Sequence, residues 1–180
     1  METSLGDALW RQFGAVIDAL DAALVACPDG LWTGRIWPNP PPPWFPRHFA
    51  EFWHIAYHTL VWTDLYLAGV PEEAFVTPAP FAQGEIDSVA AQPEQPYARE
   101  ELRVYLASTR QKCHTLLTAL TDEQARRPVE YAWTGGEPIS YLELQFRNMR
   151  HVQEHAAQLL LFLGQHGIPD TALAAAPRAG

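Results

Sequence analysis

Two histidines, His151 and His155, stand four residues apart in RHVQEHAAQLLLFL (150–163), a segment otherwise apolar and helical in its periodicity. At about 100° per residue the second lies only about 40° around a helix from the first, so both side chains project from one face. Imidazole is the usual ligand for zinc and suits nickel, copper and iron, so such a pair can share one ion. By itself the pair is better read as two histidines in buried hydrogen bonds than as a metal site, and a third ligand has to decide. The segment FWHIAYHTLVWTDLYL (52–67) supplies His54 and His58, again four apart. Both lie on a stripe with Ile55, Val61, Trp62 and Leu65, while Phe49, Phe52, Trp53, Ala56, Leu60 and Leu67 make another apolar side. Pattern alone leaves His54 and His58 open.

The elements that must position these histidines are helical. Four segments carry spacings of three and four, and the stretches between them are rich in Pro and Gly. The first runs from about Thr3 to Ala26, with Leu5, Leu9, Phe13, Val16, Ile17, Leu20 and Leu24 as its apolar row, and Pro28 and Gly30 close it. The second, from about Arg47 to Ala68, is apolar on nearly every side, the mark of heavy burial in a soluble protein. The third spans about Tyr97 to Leu120. Thr121 and Gln124, at capping-box spacing, predict a short helix to Arg126. The fourth long helix starts near Pro138 and runs to about Gln165, before Gly167 and Pro169. No segment joins β-branched alternation to hairpin signals, so no sheet is expected. The fold class is therefore all-α, a four-helix bundle with long loops between helices one and two and between two and three.

WPNPPPPWFP (37–46) cannot be helical and reads as polyproline II, packed on its own domain through Trp37, Trp44 and Phe45. The connection over 69–96 is long enough to be functional, though a plain spacer fits it as well. A single domain is expected over 1–166, with a loosely ordered tail over 167–180.

The totals exclude several classes. With a formal charge of −9 and twelve Lys and Arg spread thinly, the chain would repel a phosphate backbone, so nucleic acid is not an expected partner. No run approaches a membrane span and the start METSLGDALWRQF lacks the features of a signal peptide, which predicts a cytoplasmic protein. Cys27 and Cys113 lack CxxC spacing and read as free thiols. Exposed aromatics on a bundle would permit a homodimer.

Taken together, His58 followed by Thr59, Leu60, Asp64 and Tyr66, and then His151 and His155 in the last helix, resemble the DinB-like family of four-helix metalloproteins. The resemblance covers about residues 3 to 166. It implies a metal site of His58, His151 and His155, with His54 as a packing residue or a support for a ligand; two ligands from the second helix are the alternative. It also implies a divalent ion, zinc or nickel. The family includes metal-dependent hydrolases, transferases of low-molecular-weight thiols and isomerases that use such a thiol, so the partner implied is a small-molecule substrate or a thiol.

Three imidazoles leave a divalent ion an open position, where bound water is acidified towards about pH 7 and a bound thiol is deprotonated. A water-activating hydrolase, a thiol transferase and a non-catalytic metal-binding bundle all follow from such a site. Glu51, Asp64, Asn148 and Glu154 are the candidates to hold a ligand's other ring nitrogen, and Arg147 or Arg150 to hold a thiol's carboxylates. No residue is assigned as general acid or base. His-Val-Gln-Glu-His is not HExxH, because the glutamate does not follow the first histidine. His48, His114 and His166 read as solvated or capping, Cys113 as a small core residue, and the Thr-Gly-Gly-Glu run as a turn.

Overall fold

In the computed structural model, which describes residues 4–39, 48–87 and 89–169, the chain is built on four long helices. Helix α1 (Leu5–Ala26) starts where the Ser4 side chain accepts from the Asp7 amide, and buries Leu9, Phe13, Ile17, Leu20 and Leu24 along one row. Helix α2 (Phe52–Ala68) is buried except at His58, Trp62 and Ala68. Its one open strip therefore carries His58. Helix α3 is Arg99–Thr118, and the Glu101 carboxylate accepts from the Ala98 amide at its start. The short α4 (Asp122–Arg126) has the expected capping box, Thr121 and Gln124 exchanging side-chain and backbone bonds. Helix α5 is Tyr141–Gln165.

Helices α1 and α2 each pack on both α3 and α5, so α3 and α5 separate them. Asp18 and Asp21 of α1 pair with Arg110 and Arg103 of α3 across one seam. The core is continuous, with Phe13, Leu24, Phe52, Trp53, Tyr57, Leu102, Leu117, Leu144 and Leu159 at its centre. No helix among the described residues is long and apolar enough to cross a membrane.

Three expectations need correction. Helix α2 begins at Phe52 and not near Arg47, because Ala50 has φ 80°, Glu51 is extended, and Glu51 makes an isolated antiparallel bridge to Arg35. Helix α5 begins at Tyr141 and not at Pro138, because the preceding residues are used in a small sheet. Strand β1 (Pro128–Val129) pairs antiparallel with β2 (Ile139–Ser140). Two residues per strand leave no alternation to detect in a sequence. The tract over 37–46 lies mostly outside the described residues, as does the tail from 170 onward; Trp37, which is described, stacks on Phe49.

Candidate metal centre

Helix α2 brings His58 to the face of α5 that carries His151 and His155. One nitrogen from each of the three rings lies within 4.8 Å of the other two. Nε2 of His58 is 3.2 Å from Nε2 of His151, and the His155 ring centroid is 5.0 Å from that of His58 and 4.6 Å from that of His151. Two nitrogens each about 2.1 Å from one tetrahedral ion would lie about 3.4 Å apart, so the spacing fits a shared ion. His54 is outside the cluster. It is 1% exposed, packed among Phe49, Trp53 and Tyr57, and its Nε2 is 3.5 Å from Oε2 of Glu85 without a hydrogen bond forming.

The second ring nitrogens are handled by two residues that spacing did not nominate for the role. Nδ1 of His58 meets Oε1 of Glu85, and Nδ1 of His155 meets Oε1 of Gln158 at 2.8 Å. An imidazole held at Nδ1 by an acceptor keeps its hydrogen there and turns a bare Nε2 outward. Nδ1 of His151 is buried with no partner among the described residues. Of the expected supports, Glu51 accepts from Trp53 and meets His48, Asp64 pairs with Lys112 and Tyr105, Asn148 donates to the Thr63 carbonyl and to Gln145, and Glu154 is exposed. None of these four is bonded to a clustered histidine.

Glu85 comes from the 69–96 connection. That connection is fastened to α2 by Tyr57, whose hydroxyl donates to the Ala82 carbonyl, and by Phe81 stacked on Tyr57 and Tyr105. Gly84 precedes Glu85 where a Cβ would collide with the Ala91 carbonyl and Gln92, so the turn closes only on glycine. Trp62 also donates to Glu85. Burial pushes the Glu85 carboxyl up, but the His58 hydrogen bond, the attraction of His58 and His54 and the Trp62 bond outweigh it and hold the group below its usual range.

Burial favours the neutral form of the two α5 rings. Burial lowers His151 to about 2, reinforced by His58, His155 and Arg147; burial and His58 also lower His155, with Gln158 opposing. Neutral imidazole is the form that binds metal. Cys27 and Cys113 are buried free thiols away from the cluster, and burial raises both.

A family model described as the DinB superfamily matches residues 12–159, which includes all three clustered histidines. The chain belongs to the DinB superfamily. No curated protein and no solved structure matches it. For this DinB-superfamily chain, the three-histidine cluster fits metal binding both by membership and by geometry.

Beside the cluster, the bundle carries a cleft of about 370 Å³ lined by Trp133, Ile139, Glu143, Phe146, Arg147 and Arg150. Trp133 is on the turn between β1 and β2, and the Arg147 guanidinium lies 3.7 Å from its ring centroid. Tyr66 of α2 neighbours both, its ring 6.3 Å from Trp133 and 6.3 Å from His151.

Proposed function

We propose that the protein is a metal-dependent enzyme in which His58, His151 and His155 hold one divalent ion, zinc or nickel, and that its reaction is hydrolysis of a small-molecule substrate. The observation that carries this is the convergence of three imidazoles from two helices, two of them held at Nδ1, with no fourth protein ligand among the described residues. Such an ion keeps a position open and makes what binds there more acidic. The chain's part is to hold the ligands: Glu85 and Gln158 fix two rings, and Trp62 and Tyr66 flank the cluster. Transfer of a low-molecular-weight thiol is the second reading, favoured by Arg147 and Arg150 beside the histidine stripe, where a thiol's carboxylates would dock.

Elemental analysis of the purified protein tests the site. One equivalent of divalent metal is expected in the wild type and in His54→Ala, and its loss in His58→Ala and His151→Ala. Retention of metal in His58→Ala sinks the ligand set. The loaded protein should then cleave members of an ester and amide panel without added thiol; activity that requires a thiol selects the transferase, and inactivity across both panels leaves a non-catalytic metal protein.

A further inference from the structure

Resting on the metal-centre reading, we infer that the cleft beside the histidines is a carboxylate clamp, and that the substrate carries a carboxylate about one helical turn from its reacting atom. Arg147, His151 and His155 occupy one stripe of α5 at successive spacings of four, so Arg147 stands about 6 Å along the axis from His151. A ligand of that reach touches both.

Two arginines line the cleft, Arg147 and Arg150. In a chain of net charge −9, Arg99, Arg103, Arg110, Lys112 and Arg126 are each committed to a carboxylate. Among the described residues Arg147 and Arg150 form no ion pair with a carboxylate; Arg11, Arg35 and Arg127 form none either, but only Arg147, which bonds the Tyr66 side chain, and Arg150 line the cleft. The Arg147 guanidinium lies against the Trp133 indole, which fixes its plane in advance, and a fixed planar fork suits the two oxygens of a carboxylate. Trp133, held on the β1–β2 turn, Phe146 and Ile139 supply an apolar wall for the body of the ligand, and Trp133 and Phe146 are partly exposed at 37% and 43%. Glu143 lines the same cleft and sets one negative group against two positive ones.

The clamp is tested with mercaptobutyrate against its neutral amide, on protein loaded with cobalt(II). The sulfur-to-cobalt charge-transfer band reads binding at the metal, and metal content is measured alongside. The acid is expected to bind about tenfold more tightly than the amide, the size of one charge-assisted bidentate contact. Arg147→Gln should abolish that preference while leaving cobalt content and affinity for the amide unchanged, and Arg150→Gln should reduce it. Equal binding of acid and amide by the wild type overturns the clamp, as does a preference that survives in both variants. If Arg147→Gln does not fold, Arg147→Lys keeps the charge without the fork and should keep only part of the preference. Should the protein take up no cobalt, the metal-centre reading fails by itself. The clamp is then judged by calorimetry of hydrocinnamate against hydrocinnamide on the metal-free protein, where a lack of preference for the acid overturns it.

Discussion

Glu85 has the leverage at the centre that its position in the sequence conceals. Its side chain is only 8% exposed, and it holds Nδ1 of His58 while accepting from Trp62. Removing such a support of a metal-bound histidine costs about 10–100-fold in metal affinity. Glu85→Gln should therefore weaken metal binding by about that factor in a chelator competition while circular dichroism stays helical; unchanged affinity would reduce Glu85 to a loop anchor. His54 shows the opposite case. It has the same spacing logic as His58, but its ring is enclosed by Phe49, Trp53 and Tyr57 and does not reach the cluster. Helix α2 is buried almost all round, so no polar face marked which histidine points to the site. His151 and His155 were legible because α5 is amphipathic and a separation of four fixes their common face. Glu85 was not, since it sits in a short 3-10 turn within a proline-rich connection that has no period to read.

At the scale of elements, the end of α2 and the start of α5 are locked together at Gly69. This residue closes α2 in the left-handed region at φ 59°, and a Cβ there would strike the Arg127 side chain and the Tyr141 ring. Tyr141 donates to the Leu67 carbonyl and Arg127, which follows α4, to the Gly69 carbonyl, so one corner joins α2, the end of α4 and α5. Gly69→Ala is expected to destabilise the fold by about 1–3 kcal/mol, read as a lower denaturation midpoint in urea with an unchanged slope. A midpoint equal to that of the wild type would mean the corner yields without cost. The long helices and the short α4 follow from periodicity and capping. The β1–β2 pair that carries Trp133 is too short for any pattern, and it exists because the chain between α4 and α5 lies along itself.

For the whole molecule, burial couples folding to pH. Burial lowers His54 from 6.5 to about 4, with Glu85 opposing. The unfolded chain takes up a proton below pH 6.5 that the folded chain refuses, so this contribution is complete above 6.5 and is lost as pH falls from 6.5 towards 4. The melting temperature of the metal-free protein should decline across that window, and His54→Gln should make the decline shallower, with His151 and His155 supplying the remainder; an unaltered slope would place the titration elsewhere. Metal acts in the other direction, because an ion bound to the folded chain alone raises stability with its concentration. Chelation should lower the melting temperature of the wild type and leave that of His58→Ala unmoved.

The sequence by itself determined the helices, their order, and the pair on α5, because these depend on local periodicity, on capping residues and on the angle per residue. The resemblance pointed to His58 as the third residue, but only the tertiary structure showed its ring beside that pair and His54 outside it, Glu85 and Gln158 holding the rings, and Trp133 lying against Arg147. Those are contacts between segments far apart in the chain or choices of side-chain direction within a helix buried on every side, and neither leaves a periodic trace in the order of residues.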